Sequence, residues 1–207
     1  LGDGQILTVP LEVEGLPEVT EQLRFEPLEG DPVLSGVSYQ IAPGGEPAAT
    51  WKALEDLYKS KKVRAIGVSN FLPHHLNNLL ERTSIIPMVN QLEFHPGYMQ
   101  KAPVDFRQRL GIQVEAWSPI GRARVLQEPL LMELAEKYQV SVAQICIRFA
   151  LQCGVLPLPK SSSGERMRQN LDVFGFNIED DDMHQLMTLP QIGWSGEHPD
   201  RERVKLR

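Results

Sequence analysis

Lys160 and Ser161 stand directly before Ser162-Ser163-Gly164-Glu165-Arg166, where the serines mark the expected start of a helix. The first turn of a helix presents N–H groups that lack intrahelical partners, at the positive end of its dipole. A phosphate placed there gains hydrogen bonds and charge complementarity together. Lys160 adds a point charge, and Arg166, one turn in, adds a planar fork that can grip a phosphate bidentately. A second set of polar residues lies in or after apolar stretches: Ser69 and Asn70 after 63–68, Gln91 within 88–94, Trp117 and Ser118 at the end of 112–117. If those stretches are parallel strands alternating with helices, their C-terminal ends face a ligand. Read one at a time, each feature has a plainer meaning: Ser69-Asn70 a turn, Gln91 a satisfied strand-end amide, Trp117 core, Ser162 to Glu165 a capping box.

Hydrophobic periodicity supplies the elements that must position these groups. From Ala49 onward helix and strand alternate. Trp51, Leu54, Leu57 and Tyr58 mark one face of a helix whose negative C-terminal end suits Lys59, Lys61 and Lys62. A strand over 63–68 follows, then a helix with Leu76, Leu79 and Leu80 on one face, then a strand over 88–94. A connecting segment around 104–110 leads to the strand over 112–117. Two helices come next: one turns Leu130, Leu131, Leu134 and Ala135 inward, and the other opens on the capping box Ser141-x-x-Gln144 and is apolar through Ile145, Phe149 and Ala150. A strand over 155–159 then delivers Lys160. No Gly-x-Gly-x-x-Gly follows any of these strands, so a barrel-type parallel sheet is expected rather than a Rossmann sheet.

Residues 1–48 read differently. They are rich in Gly, Pro and Glu, and short alternations such as Val37, Tyr39 and Ile41 suggest strands or hairpins. A βαβ unit takes roughly 30 residues, so this segment cannot hold the four β/α units that a complete eight-fold barrel needs before Trp51. Half a closed barrel leaves open edges at 63–68 and 155–159. Either the N-terminal strands pair with one edge, or two chains associate as a homodimer. A start at Leu1 rather than Met fits a fragment. Three segments are therefore expected: an atypical one over 1–48, a half barrel over 49–190 and a polar tail over 191–207.

The 207 residues carry a net charge of −6 with the cations scattered, which argues against a nucleic-acid partner. No apolar run approaches the ~20 residues that cross a bilayer, and no signal sequence opens the chain, so the cytoplasm is the expected compartment. Cys146 and Cys153 lie on one expected helix, too far apart along its axis for a disulfide; both read as core packing. His74, His75, His184 and His198 show no metal-ligand spacing, and no metal is expected. The acidic run of Glu179, Asp180, Asp181 and Asp182 reads as a solvated helix start.

Four strand-end motifs occur in order: Lys62-Val-Arg-Ala-Ile-Gly-Val-Ser-Asn-Phe71, Val89-Asn-Gln-Leu-Glu-Phe-His-Pro96, Glu115-Ala-Trp-Ser-Pro-Ile-Gly121 and Leu156-Pro-Leu-Pro-Lys-Ser161. They resemble the segments around barrel strands five to eight of the aldo-keto reductases, TIM-barrel enzymes that reduce carbonyl groups with NADPH. The resemblance covers some three-quarters of the chain. It implies an α/β fold, a partial (β/α)8 barrel, and an NADP(H)-dependent oxidoreductase that turns small aldehydes or ketones into alcohols. By the same resemblance Ser69, Asn70 and Gln91 bond the nicotinamide carboxamide, and Trp117 stacks on its ring. Ser118 and Ile120 begin the loop under the pyrophosphate. Lys160, Ser161, Ser162, Ser163 and Arg166 take the phosphate, and Gln169 and Asn170 contact the adenine. Two cations, Lys160 and Arg166, favour NADP(H) over NAD(H). Trp194 in the tail becomes a substrate contact, and His95 a structural residue.

The family's catalytic Asp, Tyr, Lys and His come from the first half of its barrel. Here the nearest counterpart of the histidine strand is Tyr39-Gln-Ile-Ala-Pro43, with Ala42 where histidine is expected, and neither Tyr39 nor Tyr58 has the context of the family's proton donor. No catalytic residue is carried over. Three readings stay open: a reductase whose acid is supplied by another segment or a second chain, a silent NADP(H)-binding relic, and an ordinary reductase whose first residues were misrecorded.

Overall fold

The structure, a computed structural model, describes residues 6–11, 19–25, 34–39 and 47–200, with side chains for residue 48 and for 50–200. Ala42, the counterpart of the missing histidine, lies outside the described residues, as does the end of the tail from 201. The chain divides into two compact units, Leu1–Gln91 with Phe106–Gln113, and Leu92–Asp105 with Val114–Arg207.

In the first unit, β1 (Ile6–Leu11), β2 (Val19–Phe25) and β3 (Leu34–Tyr39) form an antiparallel meander. The register slips at Arg24/Phe25, a bulge in β2. β3 then pairs in parallel with β4 (Ile66–Ser69), Val37 opposite Ile66 and Tyr39 opposite Val68, so the N-terminal segment supplies a neighbour to an edge that half a barrel would leave open. On the other side β4 pairs in parallel with the start of β5 (Val89–Glu93), Ser69 opposite Gln91. Gly67 permits that approach, since a Cβ there would lie 2.8 Å from the Val89 carbonyl oxygen.

The helix α1 (Pro47–Lys59) buries Trp51 and Leu54, and α2 (Pro73–Leu80) buries Leu76 and Leu79, in one apolar cluster with Ile66, Val68 and Phe71. Two polar groups pin α1 to the loop after α2. Trp51 Nε1 donates to the Ile85 carbonyl at 2.9 Å. Glu55, only 4% exposed, accepts from the Ser84 and Ile85 N–H groups at 2.8 Å each, from the Ser84 hydroxyl at 3.0 Å and from Lys59 at 3.1 Å. Burial pushes the Glu55 carboxyl up, but those four donors outweigh it and hold its pKa at about 2.

The expected connecting segment around 104–110 is largely helical: α3 spans Lys101–Arg109. Its inward positions are Val104 and Arg107, and a guanidinium at a core position hides the apolar period. Arg107 is fully buried, and among the described residues none of its three guanidinium nitrogens has a hydrogen-bond partner; burial lowers its pKa to about 10.

In the second unit β6 (Gln113–Trp117) pairs in parallel with β7 (Leu156–Leu158), Trp117 opposite Leu158. The helices α4 (Pro129–Tyr138) and α5 (Val142–Gln152) bury Leu131, Leu134, Ile145 and Phe149 against Val114 and Ala116. The capping box at Ser141 forms: its hydroxyl accepts from Gln144 N–H at 3.3 Å while its own N–H reaches Gln144 Oε1 at 2.9 Å. Gln144 also donates to the Asp172 carbonyl at 2.7 Å, which ties the exit of α6 (Gly164–Leu171) to α5. Cys146 is buried and Cys153 half-buried, both as thiols, and burial raises the pKa of each.

The acidic run begins α7 (Asp180–Met187) but is not wholly solvated. Asp182 is buried, accepts from Lys137 at 2.7 Å and is held by the Tyr138 hydroxyl, so α7 is bolted to α4. No described helix is long and apolar enough to cross a membrane.

Candidate cofactor-binding site

In the first unit the strand-end polar residues do come together. Asn70 turns left-handed, with φ 58°, directly after β4, and its N–H donates to the Gln91 carbonyl at 2.9 Å. The Ser69 hydroxyl donates to the same carbonyl at 3.3 Å. Beneath them the fully buried Asn90 donates to the Phe71 carbonyl at 3.0 Å. The backbone bonds fix where Ser69, Asn70 and Gln91 sit, with Gln91 half-buried in the middle of β5.

In the second unit Trp117 ends β6 with its ring half-buried, and the Arg122 guanidinium carbon lies 5.4 Å from the ring centroid. The chain turns sharply after it. Ser118, Arg122 and Ala123 all adopt positive φ, Gly121 N–H donates to Ser118 O at 2.8 Å, and Ala123 N–H donates to Ile120 O at 2.9 Å. Arg122 also pairs with Glu197 of the tail at 2.8 Å.

Of the adjacent serines after Lys160, one caps the helix that follows. The helix cap is Ser163, whose hydroxyl accepts from Arg166 N–H at 3.4 Å, rather than Ser162, because α6 begins at Gly164. Ser161 braces the loop by accepting from Ser163 N–H at 3.1 Å. Lys160, Ser162, Arg166 and Gln169 are exposed, Asn170 is half-buried, and α6 buries none of its residues. Among the described residues the Lys160 and Arg166 side chains have no ion-pair or hydrogen-bond partner.

Trp194 lies in a well-fastened stretch of tail. It stacks on Tyr98 with centroids 6.0 Å apart, its carbonyl accepts from Arg124 at 2.6 Å, and its indole N–H is buried with no partner among the described residues. The next residue, Ser195, is held by Glu93: one carboxylate oxygen accepts from Ser195 N–H at 2.9 Å, the other from its hydroxyl at 2.7 Å. His95 is fully buried, with Nδ1 2.9 Å from the Pro96 carbonyl; since a carbonyl only accepts, Nδ1 carries the proton. Sequence reasoning missed Glu93, Arg122 and Ser195 as contributors. An acid set between two apolar residues, Leu92 and Phe94, was the available signal, because a carboxylate survives burial only with partners.

A proton donor is a different matter. Tyr58 packs on the first unit's core, Tyr98 against Trp194, and Tyr138 on Asp182. Burial raises the pKa of Tyr98, reinforced by the Glu93 charge, and burial with the bond to Asp182 raises that of Tyr138. Both shifts run against release of a proton near neutrality.

Comparison with known proteins agrees with this geometry. The family model "Aldo/keto reductase family" matches residues 31–189. Glyoxal reductase of Bacillus subtilis is 47% identical over 151 residues, covering 73% of this chain and 55% of that protein. The 9,11-endoperoxide prostaglandin H2 reductase of Trypanosoma cruzi is 44% identical over 154 residues, 73% of this chain and 54% of its own. The apo crystal structure of Gox0644 superposes with a TM-score of 0.78 at 38% identity, over 83% of this chain and 64% of that one. A mutant of Gox0644 in complex with NADPH gives 0.76 at the same identity, over 83% and 65%. The chain spans about half the length of the curated relatives it matches.

Proposed function

Because this chain belongs to the aldo/keto reductase family, we propose that it holds NADP(H) and that the protein reduces small aldehydes or ketones to alcohols with it. The observation that carries the proposal is a pair of exposed cations, Lys160 and Arg166, at the capped start of α6, neither with a side-chain partner among the described residues. Two exposed cations at a helix N-terminus suit a phosphate monoester better than a bare hydroxyl, which favours NADP(H) over NAD(H).

In this reading Lys160, Ser161, Ser162, Ser163 and Arg166 take the phosphate, and Gln169 and Asn170 meet the adenine. Ser118 and Ile120 carry the loop at the pyrophosphate, and the Trp117 ring offers its face to the nicotinamide. Ser69, Asn70 and Gln91 supply the mixed donors and acceptors that a carboxamide needs. When bound, NADPH supplies the hydride; the chain's part is to grip and orient it. The alkoxide that forms must also receive a proton, and among the described side chains Tyr58 packs on an apolar cluster, Tyr98 on Trp194 and Tyr138 on Asp182. That observation favours a second reading, a protein that binds NADP(H) without turnover.

One experiment separates the two. NADPH is titrated while Trp117 fluorescence is followed, then glyoxal is added and NADPH absorbance monitored. Quenching followed by NADPH loss supports the reductase. Quenching alone supports the silent binder, and no quenching rejects both.

A further inference from the structure

The loop after β6 is clasped to the tail by two arginines. Arg124 donates to the Trp194 carbonyl at 2.6 Å, and Arg122 pairs with the Glu197 carboxylate at 2.8 Å. Glu197 is itself seated, since its N–H donates to Ser195 Oγ at 3.1 Å. The clasp holds Arg122 against a second group, because its guanidinium carbon lies over the Trp117 ring, 5.4 Å from the centroid. Ser118, Arg122 and Ala123 take φ of 51°, 51° and 66°, a region that residues other than glycine enter only where surrounding contacts hold them. Arg122 is one of these residues, so the contacts of its side chain help to keep the loop in this shape.

The same contacts identify the face of the ring that is covered. Trp117 is half-buried while the Arg122 side chain is 46% exposed, so the face beneath the guanidinium borders solvent, the side from which a mobile ligand arrives. Two flat rings attract with centroids about 4.5–7 Å apart. A guanidinium carbon 5.4 Å from the centroid stands inside that layer, so a second ring and the Arg122 fork cannot share the face. We propose that Arg122 sets the affinity for the cofactor: it covers the Trp117 face, Glu197 holds it there, and a nicotinamide must displace it to stack. The competition rests on the reading above in which Trp117 takes the nicotinamide; the clasp does not.

A ligand that needs the face open binds with its intrinsic dissociation constant divided by the open fraction, so the clasp weakens binding. A cation–π contact and an ion pair, both near the surface, together change that constant about three- to tenfold. Charge alone predicts the opposite sign. NADPH is a polyanion, and loss of a neighbouring cation should loosen it. Tighter binding on loss of an arginine therefore separates displacement from simple attraction.

The dissociation constant of NADPH is measured by equilibrium dialysis for the parent and for Arg122→Ala, with Arg122→Gln in its place should the alanine protein fail to fold. The variant should bind about three- to tenfold tighter. Equal or weaker binding overturns the competition. A second readout follows Arg122 itself by NMR: the Trp117 ring current should move its δ-CH2 protons upfield in the parent, and that shift should vanish at saturating NADPH and shrink in Glu197→Gln. A shift that persists in the NADPH complex, or is missing from the parent, also overturns the competition. If the parent shows no saturable binding of NADPH, the cofactor reading falls and the competition with it. Saturable binding with the wrong sign in Arg122→Ala leaves that reading standing and removes the competition alone.

Discussion

Two parts of the second unit, the start of α6 and the seat of the tail at Glu93, are built on opposite principles. At α6 the cations Lys160 and Arg166 stand in solvent, and the helix buries nothing. At that seat Glu93 is paired at both oxygens, and glycine is required where the tail crosses. Groups waiting for a mobile ligand keep their hydrogen-bonding capacity unspent; groups that hold the chain to itself spend it all. Substitution should therefore damage stability at the seat of the tail and affinity at α6.

The largest stability effect is expected at Gly193. Alanine there must take a left-handed φ and push aside the buried Val125, at a cost of roughly 2–4 kcal/mol. A thermal melt of Gly193→Ala that matches the parent would break the contrast.

A smaller effect comes from Glu55, a carboxylate satisfied in the same way in the first unit. Its folded pKa of about 2 lies below its ordinary value of 4.5, so its contribution is complete above about pH 4.5 and is lost as the pH falls toward 2. On the order of 2–3 kcal/mol should disappear across that window. Denaturant melts against pH should show this slope in the parent and not in Glu55→Gln. The smallest effect is expected at the other extreme: Lys160→Ala with Arg166→Ala should shift stability by no more than about 0.5 kcal/mol, because neither side chain supports the fold.

Much of the frame was legible in the chain. Trp51, Leu54, Leu76 and Leu79 fall where their periodicity puts them, and the Ser141–Gln144 box closes as its spacing suggests. These are local rules, and local rules survive folding. What escaped depends on partners far away in the chain. The α3 helix was hidden by Arg107 at a core position, and Asp182 looked solvated until Lys137 and Tyr138 were placed beside it. Either Ser162 or Ser163 could open α6 by sequence, a choice between adjacent hydroxyls that composition cannot make, and Ser163 takes the cap. The Ser69, Asn70 and Gln91 group was found from strand ends and is held together by Gln91's carbonyl. The Glu93–Ser195 attachment, by contrast, links two residues whose relation no pattern encodes.

The most direct test of the account is the dissociation constant of NADPH, and of NADH beside it, for the parent and for the Lys160→Ala, Arg166→Ala double variant. The two cations should account for NADPH binding about a hundredfold tighter or more in the parent, with NADH affected far less. Equal NADPH affinity in parent and double variant would contradict the claim that the start of α6 is the phosphate site.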